Sequence, residues 1–307
     1  PPRARAGRRV DVGVTAVGRH ERDRNRQRYN PGMHTDRTLA LHGQRYHYTE
    51  WGAPAAPAVI FLHGITGHAR TWDDEARLLA GHFRALALDQ RGHGDSDPAP
   101  DGDYSDAALL GDLEAFVGGL GLGRVSLVAL SLGGRVAINS AGRYPERVER
   151  LVIVDIGPDI APAGRARVGT LMAHAPERFE SIDEVVTHMR ANAPRYTESM
   201  LRHRAQHAVR PLPSGGFTWK YDRSLRDAIR QGRLRVPADL WPQWRAITCP
   251  TLLVRGDESD ILTDEIAKKM LGALPHARLV VVPNAGHTVP GDQPAAFQAL
   301  LREFLMP

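Results

Sequence analysis

From residue 127 the chain reads Leu127-Val128-Ala129-Leu130-Ser131-Leu132-Gly133-Gly134, an aliphatic and β-branched run that breaks at a serine into small residues opening a helix. A strand–turn–helix corner of this kind, a nucleophile elbow, holds its serine in a strained backbone conformation with the hydroxyl exposed. Gly133 fits because strand and helix come too close for most side chains two positions after the serine. Ala129 occupies the place of the first glycine in the usual G-x-S-x-G pattern, and a single methyl keeps that position small.

On both sides of the corner, strand patterns alternate with helix patterns. Residues 38–41 and 45–48 flank His42-Gly43 and read as a hairpin. Residues 58–62 and 84–88 are continuous apolar runs, the mark of strands buried on both faces, and helical spacing lies between them over 71–79. A helix is expected over 105–120, another from the serine through Arg143, and a strand over 148–155. The alternation stops between about 161 and 245, where the segments are helical and rich in arginine and proline. It returns with a strand at 250–254, a helix at 264–274, a strand at 277–282 and an amphipathic helix at 293–304. This order implies an α/β fold, a mostly parallel sheet flanked by helices. Residues 33–160 and 246–307 make the core and 161–245 an inserted helical lid.

The bulk numbers allow one large domain with an insertion: 307 residues, 42% hydrophobic. No apolar run approaches the roughly 18 residues of a membrane span. The single cysteine, Cys249, excludes an internal disulfide framework and reads as a buried structural thiol. Residues 1–32 hold nine arginines against three acids, a surplus of six charges, so against the overall +5 the remainder carries about −1. The basic character thus belongs to a tail, which reads as a disordered or non-native extension before a start at Met33. It lacks the apolar segment of a signal peptide. A cytoplasmic protein acting on a small molecule is expected, with no nucleic-acid or membrane partner; oligomeric state is left open.

A serine hydroxyl becomes nucleophilic when a base takes its proton, and that base needs a third group to orient it. His287, in Gly286-His287 on the loop after the last strand, reaches over the carboxyl ends of the strands where Ser131 sits. A carbonyl under attack develops negative charge and needs prearranged donors. The Leu132 N–H at the helix start is one, and the Ile65 N–H, in the loop after the first buried strand, is the other; His63 braces that loop. No metal or organic cofactor is called for. In the lid, Arg167 is the favoured partner for a substrate carboxylate. Phe217, Trp219, Tyr221, Trp241 and Trp244 are candidates to line an acyl pocket. His203 and His207 have metal-ligand spacing but read as surface residues.

These features together resemble the α/β-hydrolase fold superfamily from residue 38 onward: His63-Gly64, the loop Asp89-Gln90-Arg91-Gly92-His93-Gly94-Asp95-Ser96-Asp97, the Ser131 elbow and Gly286-His287. The resemblance implies that the 89–97 loop shapes the site floor, and a serine nucleophile argues against its aspartate-using relatives. It leaves two positions for the triad acid. In most of the superfamily the acid follows the strand here ending near Val254, three residues after a glycine; counting from Gly256 that place is Ser259, with Asp260 one later. A smaller set, similar to the 2-(acetamidomethylene)succinate hydrolase group, puts it after the strand following the nucleophile helix, where Asp155 stands. The implied activity is serine hydrolysis of a carboxylic ester, lactone or activated amide through an acyl-enzyme. The alternatives are cofactor-free C–C hydrolysis, perhydrolysis or acyl transfer, and a ligand-binding module with little turnover.

Overall fold

A computed structural model describes residues 33–231 and 238–306. The arginine-rich stretch 1–32, and the expectations placed on it, lie outside them. The expected hairpin forms between β1 (Thr35–Leu41) and β2 (Gln44–Trp51). Its two turn residues, His42 and Gly43, take φ of 51° and 79°, the left-handed pair whose twist matches flanking antiparallel strands.

There follow β3 (Ala58–Leu62), α1 (Asp73–Leu79), β4 (Arg84–Leu88), α2 (Asp106–Gly119), β5 (Val125–Leu130), α3 (Leu132–Arg143) and β6 (Val148–Val154). The insertion holds α4 (Pro162–Ala173), α5 (Ile182–Asn192), α6 (Glu198–Ala208), β7 (Val209–Pro211), β8 (Phe217–Trp219) and α7 (Arg223–Arg230). The chain closes with α8 (Trp241–Ala246), β9 (Thr251–Gly256), α9 (Asp264–Ala273), β10 (Ala277–Val282), α10 (Val289–Asp292) and α11 (Pro294–Leu305).

Eight strands form one sheet in the order β1-β2-β4-β3-β5-β6-β9-β10. β2 pairs antiparallel with both of its neighbours, β1 and β4, and the other five pairings are parallel. The order reverses at β3, with β4 on one side and β5 on the other, so a crevice opens beyond the carboxyl ends of β3 and β5. All five residues of β3 are buried, as expected of a strand covered on both faces. One apolar cluster fills each face of the sheet. Among the described residues no helix is long and apolar enough to cross a membrane.

The insertion has its own apolar cluster, including Met172, Phe179, Val185, Leu201, Trp219 and Tyr221. Three details differ from the sequence reading. A short antiparallel pair, β7 with β8, interrupts the helices; three-residue strands leave almost no periodic trace. Helix α8 packs on α3, and its Trp241 and Trp244 belong to the core on one sheet face. A Cβ at Gly142 would stand 2.3 Å from the Gln243 carbonyl oxygen, so only a bare backbone lets these helices meet. His203 is not a free surface residue: its Nε2 lies 3.1 Å from Asp73 Oδ2 and 3.2 Å from the Arg70 carbonyl, tying α6 to the start of α1. Cys249 is buried, as expected.

Glu75 in α1 is 3% exposed, and burial pushes its carboxyl up from 4.5 to about 7. An acid raised in the folded state favours folding while protonated, so its contribution is full below pH 4.5 and lost as pH rises towards 7. Across that window the fold gives up on the order of 3 kcal/mol. Glu75→Gln is therefore expected to melt about 2–6 °C above the wild type at pH 8 and level with it near pH 4.5. Thermal scans at both pH values check this, and an equal offset at both would refute it.

Candidate active site

Ser131 is the first residue beyond β5 and takes φ 53°, ψ −115°, a left-handed conformation that a side chain adopts only under strain. Its N–H donates to the Val154 carbonyl at 3.2 Å, and the Gly133 N–H donates to the His63 carbonyl at 3.1 Å. A Cβ on Gly133 would fall 2.4 Å from the Leu62 carbonyl oxygen, and one on Gly134 would fall 2.3 Å from Ile156 Cγ2. The helix thus starts in contact with the neighbouring strand, as the elbow pattern requires. Gly133→Ala is expected to cost about 1–3 kcal/mol, because the obstruction is backbone and cannot rotate away. Urea titration reads this as a lowered midpoint, and an unchanged midpoint would contradict the close approach.

The loop after β3 lies against the serine: a Cβ on Gly64 would meet Ser131 Cβ at 3.3 Å. His63 accepts the Gln90 N–H on Nε2 at 3.1 Å, which leaves Nδ1 to donate to the Gly64 carbonyl at 2.8 Å. Burial pushes this imidazole down to about 4, so it braces the loop as a neutral ring. From the other side, His93 Nε2 lies 2.7 Å from the Ile65 carbonyl. Among the described residues, no group accepts from the Ile65 N–H or from the Leu132 N–H. The latter opens α3, where first-turn donors lack intrahelical partners and the helix dipole is positive.

The loop at 89–97, which the resemblance assigns to the site floor, contributes no residue to the lining of the cavity that holds Ser131 and His287, and it acts as scaffolding. Asp89 accepts from the Asp95 N–H at 2.9 Å and lies 2.7 Å from His47 Nδ1. Burial raises its carboxyl, but His47 and the other donors outweigh that and hold it at about 2.

Asp155, the first residue beyond β6, is fully buried with φ 51°. Its Oδ2 stands 2.8 Å from His287 Nδ1 and also accepts from the Ser259 hydroxyl, while Oδ1 accepts the Gly256 N–H at 3.1 Å. Burial pushes this carboxyl up, against the pull of those donors. Asp260 is engaged elsewhere. Both its oxygens take the Arg167 guanidinium, at 2.6 and 2.7 Å, and this pairing holds its carboxyl below the usual range. Of the two candidate acids, Asp155 therefore meets His287. Arg167, expected to await a substrate carboxylate, already has a carboxylate partner.

Ser131 and His287 line one cavity of about 360 Å³. No hydrogen bond joins their side chains within 3.5 Å; such contacts are often long in ligand-free enzymes and tighten with substrate. Val168, Leu171, Met172, Met189, Leu201 and Trp219 give the insertion's side of the cavity an apolar wall. Tyr221 joins that wall, but Phe217, Trp241 and Trp244 do not. The indoles of Trp241 and Trp244 bond to Asp159 Oδ1 and to the Met270 carbonyl instead. The contact that sequence reasoning missed is Ser259 on Asp155; its one signal is that Ser259 stands at the third place after Gly256.

The sequence profile of the alpha/beta hydrolase fold family matches residues 57–294. The chain belongs to this family. It is 31% identical over 271 residues to 3-hydroxybutyrate-oligomer hydrolase of Cupriavidus necator, covering 83% of this chain and 90% of that protein. An esterase of Mycobacterium tuberculosis is 35% identical over 263 residues, covering 83% and 84%. The crystal structure of E-2-(acetamidomethylene)succinate hydrolase matches with a TM-score of 0.82 at 27% identity, covering 90% of this chain and all (100%) of that one. This α/β-hydrolase is accordingly an enzyme of the hydrolase class, and the resemblance to the last group extends to its architecture.

Proposed function

We propose that this α/β-hydrolase cleaves a carboxylic ester, lactone or activated amide through an acyl-enzyme. The observation that carries this reading is the His287–Asp155 bond of 2.8 Å on the wall of the cavity that Ser131 also lines. With Nδ1–H given to Asp155, the free Nε2 lone pair lies across the ring and serves as the base for the Ser131 hydroxyl. Ser131 attacks the carbonyl carbon, and the Leu132 and Ile65 N–H groups hold the oxyanion. His287 then gives its proton to the leaving alcohol or amine. Water, activated by the same ring, hydrolyses the acyl-enzyme and restores the serine.

Residues 162–230 of the insertion act as the lid, with α4 to α6 and β8 closing the cavity and selecting the substrate. The apolar wall suits a short to medium acyl or alkyl group. Relatives named as an oligomer hydrolase and an esterase support the same class. A fluorophosphonate probe is expected to label Ser131 stoichiometrically, located by peptide mass spectrometry, alongside hydrolysis of short p-nitrophenyl esters. Neither labelling nor turnover would overturn the reading.

A further inference from the structure

We propose that Ser259 is a positioning residue for this reaction, one that fixes Asp155 as a carboxylate aimed at His287. The inference rests on the reading above and goes one contact further out. Ser259 follows β9 and is 8% exposed. Its Oγ accepts two backbone donors, the N–H of Ile261 at 3.1 Å and the N–H of Leu262 at 3.2 Å. A hydroxyl has two lone pairs and one proton. With both lone pairs occupied, the rotor is locked and its proton has one destination, Asp155 Oδ2.

The surroundings of Asp155 then consist of donors: the Gly256 N–H, the Ser259 O–H and the His287 Nδ1–H. A protonated carboxyl would find no acceptor in Gly256 or Ser259, and could give its hydrogen only to a His287 ring that had moved its own proton from Nδ1 to Nε2. The donors therefore favour the ionised form, working against burial, which favours the neutral acid in this fully buried residue. Ser259 and His287 share one oxygen while Gly256 holds the other, which fixes the plane of the carboxylate.

The same loop is also bonded to the segment that carries the base. Glu258 N–H donates to the Ala285 carbonyl at 3.0 Å, and the Ala285 N–H donates to Asp257 Oδ1 at 3.1 Å. A Cβ on Gly256 would lie 2.2 Å from the Gly286 carbonyl, so the two loops touch through bare backbone. Ser259 thus sits where the acid-bearing strand, its neighbour β9 and the histidine loop converge. The place where most of the superfamily carries the acid itself here carries a hydroxyl that serves an acid on the adjacent strand.

The test is Ser259→Ala beside Ser259→Thr, with rates normalised to sites titrated by the phosphonate probe, so that unfolded molecules do not count. Losing one hydrogen bond to a charged group is expected to lower kcat per titrated site by about 10- to 100-fold, with KM nearly unchanged. The acid limb of kcat/KM should move to higher pH in the alanine variant, because a carboxylate with one donor fewer binds the imidazolium more tightly. Threonine, which keeps the hydroxyl, should recover most of the loss. Wild-type kcat and an unmoved acid limb in Ser259→Ala would overturn the assignment. So would a threonine variant that titrates fully yet turns over no faster than alanine. A wild type that the phosphonate does not label would instead overturn the parent reading, so the two failures are distinguishable.

Discussion

Replacing Ser131 with alanine is expected to lower kcat by about 10⁴- to 10⁶-fold and to abolish phosphonate labelling, with KM little changed. The size follows from the role proposed for the hydroxyl, which is to supply the atom that bonds to the carbonyl. The Leu132 and Ile65 donors remain, so a residual rate above that of water is expected from polarising the carbonyl alone. The fold should not suffer. Among the described residues Ser131 Oγ has no hydrogen-bond partner within 3.5 Å, and alanine keeps the same backbone demand at φ 53°. The melting temperature should therefore stay within about 2 °C or rise slightly, as is common when a strained site is relieved of its chemistry. Turnover retained in Ser131→Ala would point to His287 acting as a base on water or substrate directly, and would end the acyl-enzyme proposal.

The parts of this enzyme legible in the sequence are those whose cause is local. The runs at 58–62 and 84–88 match β3 and β4 residue for residue, because a strand buried on both faces must be apolar along its buried length, which is all of β3 and every residue of β4 after Arg84. The elbow is equally local, since Ser131, Gly133 and Gly134 meet strand and helix within one turn. Where packing partners are distant in sequence, the reading failed. Helix α8 looks like part of the insertion, but the glycine that admits it to the core is Gly142, on α3. Trp241 and Trp244 go with α8, so aromatic residues that resembled pocket lining became core. The acid was ambiguous for the same reason. Asp155 and Asp260 both follow strands, and adjacent β6 and β9 bring both near the histidine loop. The difference lies in what else each carboxylate meets, Ser259 and Gly256 for one and Arg167 for the other. No spacing rule encodes those contacts.

Those contacts make Asp155→Asn the second large effect, an expected loss of about 10³- to 10⁴-fold in kcat. Asparagine keeps the volume but brings an NH2 group into a pocket built of donors. Its oxygen can satisfy either the Gly256 N–H or the pair formed by Ser259 and His287, not both. If the oxygen stays on Gly256, the amide nitrogen faces His287, and the ring must turn Nδ1 into an acceptor. The proton then sits on Nε2, facing Ser131, and the base is in the wrong tautomer. Loss of the buried negative charge also destabilises the imidazolium formed during attack, so residual activity should climb with pH, as hydroxide begins to replace the base. Asp260→Asn leaves the Asp155–His287 bond intact and frees the Arg167 guanidinium at the cavity wall, so its effect should stay within about tenfold and fall mainly on KM. Steady-state kinetics of the two variants on one ester across pH 5–10 decide the matter. A collapse of kcat in Asp260→Asn with Asp155→Asn near wild type would mean that the acid is supplied from β9, through a rearrangement that breaks the Arg167 pair.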